Sequence, residues 1–183
     1  RVEVRLAAAD GTVVSRGSLA PAGAEWRRET FELASPRAVD DGALEIALAG
    51  AGDVGIDMVS LFPASSLEVG GFRPDVLDAV QALRPASIRY PGGCFASAYR
   101  WKDAIGPRED RTYYPNVIWD DQDPNQMGTD EFMDLCRRAG AEPIIAINIA
   151  AGVEEALDWL EYCNGAATTP WGARRARNGH PEP

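Results

Sequence analysis

Hydrophobic and polar positions alternate with period two up to Phe62 and take on helical spacing after Pro63. In the first stretch the short segments are Val2, Val4 and Leu6, then Thr12 to Ser18, Trp26 to Leu33, Leu44 with Ile46 and Leu48, and Ile56 through Met58 and Ser60 to Phe62. Each predicts a strand. Turns are expected between them at Asp10-Gly11, Pro21 to Gly23, Asp41-Gly42 and Gly50 to Asp53. Strands at this spacing without helices read as the later part of a β-sandwich. A sandwich lacking its first strands cannot close its sheets, so the chain is expected to be a piece of a longer protein, cut upstream of Arg1.

After Pro63 helices and strands alternate. Pro74 suits a first helical position, Val76, Leu77, Val80 and Leu83 share one face, and Pro85 ends the helix. Ala86 to Tyr90 is a short strand that runs into Pro91-Gly92-Gly93. Thr129 is the expected N-cap of the next helix, with Asp130 and Glu131 in its first turn, Phe132, Leu135, Cys136 and Ala139 as its buried stripe and Gly140 at its end. Pro143 to Ile149 is nearly all apolar, as in a parallel strand covered on both faces. Glu154 to Cys163 is a third helix, with Leu157, Trp159 and Leu160 at helical spacing. This order predicts an α/β fold, the start of a sheet or (β/α)8 TIM barrel.

Residues 91 to 128 form the exception, since 38 residues between a strand and the next helix far exceed an ordinary connection. With Tyr90 at its entrance the segment holds Phe95, Tyr99, Trp101, Tyr113, Tyr114 and Trp119, seven of the fifteen aromatic residues, which argues against disorder. In a barrel it would lie at the C-terminal face, where active sites are built.

Composition changes this picture in a few ways. With 45% apolar and 25% charged residues the 183-residue chain is globular, and no apolar run is long enough to span a membrane. A net charge of −10, spread along the chain, makes nucleic acid and anionic membranes poor partners and allows a neutral substrate. Cys94, Cys136 and Cys163 include no CxxC pair and give neither a disulfide framework nor a zinc signature; Cys136 and Cys163 read as small buried hydrophobes. Gly92-Gly93 lacks the rest of a dinucleotide fingerprint and reads as a tight turn requiring positive φ. Cys94 has no nearby basic partner, the only histidine being His180, so a contact role is favoured over covalent catalysis.

The loop acids Asp103, Glu109, Asp110, Asp120, Asp121 and Asp123 fit no Ca²⁺ loop spacing and assign no catalytic pair. Arg89, next to last in its strand, should point into a barrel mouth or be paired there. Trp101 and Trp119 offer flat faces for the C–H face of a sugar or for core packing. Asn148, a polar residue near the end of an apolar strand, needs partners, for which a substrate hydroxyl is one candidate.

Several blocks then recur in order: DMVSLFP at Asp57 to Pro63, LRPASIRYPGGC at Leu83 to Cys94, YRWKDAIGP at Tyr99 to Pro107, GAEP at Gly140 to Pro143, EYCNG at Glu161 to Gly165 and NGHPEP at Asn178 to Pro183. Together they resemble the α-L-arabinofuranosidases of glycoside hydrolase family 51. The resemblance implies a (β/α)8 barrel interrupted by a carbohydrate-binding-module-like sandwich, with residues 1–62 as its C-terminal strands and 63–183 as the first, truncated units of the barrel. It implies retaining hydrolysis of terminal arabinofuranosyl groups from arabinoxylan, arabinan or their oligosaccharides, by an acid/base and a nucleophilic carboxyl group, with no metal or organic cofactor. It also implies a homo-oligomeric whole protein, and leaves a cytoplasmic or a secreted location open. By motif, Cys94 and Gly93 line the arabinose subsite, Arg89 stands behind it, and Trp119, Trp101 and Asn148 complete the substrate-binding set. Both catalytic glutamates are expected beyond Pro183, Glu182 not being one of them, so that this piece alone should be inactive. The alternatives are a carbohydrate-binding module without catalysis, for which Trp26 is the available aromatic because Phe31 and Phe62 fit core positions, and a related retaining barrel glycosidase of other specificity.

Overall fold

The computed structural model describes residues 1–20, 23–116 and 118–183. The chain divides into two compact units, Arg1–Asp57 and Met58–Pro183.

The first unit is built on one three-stranded antiparallel sheet. Strands β1 (Val2–Ala7), β2 (Val13–Leu19) and β3 (Ala43–Leu48) lie in the order β2-β1-β3, with Val4 opposite Gly17 on one side and Ile46 on the other. Val2 and Val4 are buried, as the alternation requires, while a register shift between Leu6 and Ala7 buries Ala7 and leaves Leu6 half-buried. The stretches 26–33 and 56–62, expected as strands, have no ladder partner. In 26–33 side-chain covering stands in place of pairing: the Phe31 ring occupies the space left by the missing side chain of Gly17, and the Trp26 indole lies against Gly55. Phe31 and Phe62 are exposed and do not take the expected core positions. Of the expected turn at Pro21 to Gly23, Pro21 and Ala22 lie outside the described residues.

The second unit alternates helix and strand. It contains α1 (Ala64–Glu68), α2 (Pro74–Leu83), β4 (Ser87–Tyr90), β5 (Tyr114–Asn116), β6 (Asp121–Asp123), α3 (Thr129–Ala139), β7 (Glu142–Ile145), α4 (Val153–Asn164) and α5 (Pro170–Arg177). Helix α2 starts with Pro74 at its first position and ends at Arg84 in the left-handed region. It buries Leu77, while Val76 and Leu83 from the expected face stay exposed. Helix α3 buries Phe132 and Cys136 and closes on left-handed Gly140.

Its N-cap is Gly128 and not Thr129: the Gly128 N–H donates to the Glu131 carboxylate at 2.8 Å, while the Thr129 hydroxyl accepts the Trp159 indole N–H at 3.0 Å. A side chain at the cap would overlap the Ala104 carbonyl oxygen, which is why glycine stands there. Strand β7 is shorter than expected and is not covered on both faces, with Ile144 and Ile147 exposed. Helix α4 likewise turns Trp159 and Tyr162 inward and leaves Leu157 and Leu160 in the open.

Among the described residues β4 pairs only with β7, in parallel, and β5 only with β6, so the fold is α/β without a closed barrel or a two-sheet sandwich. Closure needs more strands than these two.

The core of the second unit is aromatic. Trp101 stacks on Trp159 with centroids 5.6 Å apart and planes 7° from parallel, and meets Trp171 edge-on at 5.0 Å. Tyr99, Ala104, Ile105 and Tyr162 complete the buried cluster. Segment 91–128 supplies Tyr99, Trp101, Ala104 and Ile105, four of the six buried cluster residues, and its described part contains three short 3-10 turns, at Gly93–Ser97, Trp101–Ala104 and Arg108–Asp110, and the β5–β6 pair.

Candidate functional site

The parallel register sets Ser87 against Glu142 and Tyr90 against Ile145, so β4 and β7 end at one edge of the sheet. The Ala146 N–H donates to the Tyr90 carbonyl at 3.0 Å and extends the pairing to that edge. Chain leaving β4 turns at once through Gly93, whose φ of +59° is the left-handed conformation that favours glycine. Cys94 follows in the 3-10 turn and is exposed. Arg89, on the last turn of β4, is exposed and lies beside Gly92, where a Cβ would stand 3.9 Å from its Nη2. Chain leaving β7 reaches Asn148, whose Nδ2 donates to the Tyr99 carbonyl at 3.3 Å. That bond ties the chain just past β7 to the segment that follows the Gly93–Ser97 turn.

Arg89, Gly93, Cys94 and Asn148 are therefore brought to one sheet edge. Trp101 and Trp119 are not part of that group. Trp101, placed in the substrate-binding set by the resemblance with core packing as the other reading of its ring, is 3% exposed and is a core residue, its indole N–H donating to the Glu155 carbonyl at 3.2 Å. The YRWKD block gives no signal that its tryptophan turns inward. Trp119 stands 69% exposed at the tip of the β5–β6 hairpin.

Two cavities adjoin these elements. One of about 420 Å³ is lined by Tyr99, Arg100, Asp103, Asn148 and Glu155, and one of about 620 Å³ by residues of α3, β7, α4 and the C-terminal segment, including Cys136 and Cys163. Neither of these two is lined by Arg89, Gly93, Cys94 or Trp119.

Electrostatics separate this edge from its supports. Burial pushes the Tyr90 hydroxyl up to about 12 and raises Tyr99 further, and the two share a 3.1 Å hydrogen bond. The Tyr90 hydroxyl also reaches the Met127 carbonyl at 2.6 Å. Both phenols stay neutral and serve as structural ties. Burial likewise raises the Cys163 thiol to about 11 and the Cys136 thiol above its ordinary value, keeping both protonated and inert. Lys102, the only lysine, is held by Asp158 at 2.5 Å and Glu155 at 3.0 Å over the Trp171 ring.

Reading by motif missed two buried arginines. Arg111 makes a two-point pair with Glu131, and Arg175 donates to the carbonyls of Tyr162, His180 and Pro181. The Glu131 partnership is half legible, since a glutamate three residues past the cap is a known start signal; nothing local marks either arginine. The loop acids bind no candidate metal: among the described residues no group of three His, Cys, Asp or Glu could hold one. Among those residues, too, no helix is long and apolar enough to cross a membrane.

Residues 79–183 match the family described as the α-L-arabinofuranosidase 1 domain, more than half of the chain. The chain belongs to this family. Among curated relatives, α-L-arabinofuranosidase C of Emericella nidulans is 45% identical over 114 residues, which are 62% of this chain and 23% of the relative. The intracellular exo-α-(1->5)-L-arabinofuranosidase of Bifidobacterium longum is 46% identical over 114 residues, 62% of this chain and 20% of the relative. This family member thus spans about a quarter of the length of the curated relatives it matches.

Among solved structures, the arabinose complex of the Thermotoga maritima α-L-arabinofuranosidase is 48% identical with a TM-score of 0.60, covering 62% of this chain and 24% of that one. The arabinose-bound MgGH51 α-L-arabinofuranosidase, 24% identical, superposes on all of this chain and 34% of its own with a TM-score of 0.82, a likeness of fold.

Proposed function

We propose that the chain is part of a retaining α-L-arabinofuranosidase that removes terminal non-reducing arabinofuranosyl residues from arabinoxylan, arabinan or their oligosaccharides. In this reading residues 1–62 are the last strands of a β-sandwich inserted in a (β/α)8 barrel, and residues 63–183 are the first barrel units. The observation that carries it is the parallel pairing of β4 and β7, whose common C-terminal end leads directly into Gly93-Cys94 after one strand and Asn148 after the other, in a family whose members bear that activity in their names. Barrel enzymes build their sites at that end.

Retention needs one carboxylic acid to protonate the leaving oxygen and a second carboxylate to attack the anomeric carbon. Neither role is assigned to the residues at this end of the β4–β7 pair. The present residues bind: the exposed Cys94 and the bare backbone of Gly93 allow close approach of the sugar, and Arg89 supplies a fixed cation that favours an ionised carboxylate nearby. Asn148 orders the second strand exit, and Trp119 offers its indole face to sugar C–H groups. An uncharged glycoside suits the acidic chain, and neither a metal nor an organic cofactor is needed for the chemistry.

The test is hydrolysis of 4-nitrophenyl α-L-arabinofuranoside by the intact protein, beside the β-xyloside and β-glucoside. Preferential cleavage of the arabinofuranoside, lost by about a hundredfold or more in a folded Cys94→Trp variant because the new ring displaces the sugar, supports the assignment. Cleavage of none of the three overturns it.

A further inference from the structure

We propose that Arg111 is a positioning residue which, through Asn125 and Glu131, sets the place of Trp119 for sugar recognition; the inference rests on the arabinofuranosidase reading above. The β5–β6 hairpin that carries Trp119 is small, pairing Tyr114 with Asp123, Pro115 with Gln122 and Asn116 with Asp121. Two strands of that length have little stability of their own in water. Its order comes from its feet.

Arg111 stands just before the first strand with its side chain 2% exposed. Its Nε and Nη2 donate to the Gly106 carbonyl at 3.1 and 2.7 Å, Nη1 to the Asn125 carbonyl at 2.9 Å, and the two Nη atoms to the Glu131 carboxylate at 3.0 and 2.8 Å. Asn125, just after the second strand and also buried, donates from Nδ2 to the Thr112 carbonyl at 2.6 Å. The two feet are thus bound to each other and, through Glu131, to the first turn of α3. At the tip the Asn116 side-chain oxygen accepts the N–H groups of Ile118 and Trp119 at 3.2 and 3.3 Å. The Arg100 guanidinium lies 5.9 Å from the Tyr114 ring centroid, and Arg100 closely follows the Cys94 turn. A planar fork that spends its N–H groups on two backbone carbonyls and a carboxylate cannot be replaced by a lysine point charge.

The experiment is steady-state kinetics of the intact protein on 4-nitrophenyl α-L-arabinofuranoside, with R111K, W119A and the double variant, together with hydrogen exchange across residues 112–125. R111K should raise KM about fivefold while kcat stays within about twofold, and should add nothing further in the W119A background, because coupled residues are non-additive. Asn125→Gly, which suits the φ of +51° but removes the Thr112 bond, should give the same KM rise without disturbing the Arg111–Glu131 pair. Both single variants should speed exchange in the hairpin. The proposal is overturned if the effects of R111K and W119A on KM multiply, if W119A alone leaves KM unchanged, or if exchange is unaltered. An unsubstituted protein that turns over no arabinofuranoside sinks the enzymatic reading instead, and the exchange measurement still decides whether the clamp exists.

Discussion

Glu131 and Asp130 are neighbours in the first turn of α3, yet their surroundings drive them in opposite directions. Burial works against the charged form of Glu131, but hydrogen bonds and charge from Arg111, the Gly128 N–H and the charge of Arg108 outweigh it and hold the carboxyl below its ordinary 4.5. Burial dominates at Asp130 and raises it above its ordinary value, against the opposing Tyr162 hydrogen bond. An acid whose folded pKa is depressed adds stability above its unfolded value and loses it as pH falls through the folded one. At Asp130 the sign reverses, stability falling as pH rises past the ordinary aspartate range. Glu131→Gln in the intact protein should therefore lower Tm at pH 7, and the gap to the parent should narrow as pH is brought to about 3, below the ordinary carboxylate range. A gap independent of pH in thermal melts would contradict this. Trp101 permits a second test at the same scale: as a core ring, its replacement by alanine should cost about 3–5 kcal/mol by denaturant titration, far more than loss of an exposed sugar-facing ring.

At the scale of elements, the start of α3 depends on a close backbone approach that no side chain permits. A Cβ at Gly128 would overlap the Ala104 carbonyl oxygen, and the φ there is an ordinary −121°, so space and not backbone conformation excludes alanine. Gly128→Ala should destabilise the intact protein by about 2–4 kcal/mol, read as a shift of the denaturant midpoint. The same contact explains what could be read from sequence. Helices α2, α3 and α4 were legible because proline, acidic first turns and terminal glycine are local signals. The N-cap at Gly128 was not, because it is decided by Ala104, far away in the chain. The stretches 26–33 and 56–62 alternate like strands but have no ladder partner, and in 26–33 Trp26 and Phe31 cover glycines instead, which alternation alone cannot tell from pairing. The place of Arg89 at the end of β4 and of Gly93 and Cys94 in the turn after it was legible from one contiguous block. The inward turn of Trp101 and the Arg111 clamp depend on partners that only folding brings near.

At the scale of the whole molecule, apolar surface is left open in a pattern. Val153, Leu157 and Leu160 form an i, i+4, i+7 stripe on α4 that is exposed, as are Ile144 in β7 and Ile147 and Ile149 just beyond it. The β4–β7 pair has no further strand on either side among the described residues. Unpaired parallel edges and contiguous apolar patches are both routes to association. The 183 residues expressed alone should bind a dye such as ANS, sediment as concentration-dependent oligomers, and melt without a sharp transition, while adding chain that covers these surfaces should abolish the dye signal. A monomer with a steep, cooperative melt would show that the aromatic core around Trp101, Trp159 and Tyr162 suffices to hold the second unit together, despite the apolar stripe it leaves in water.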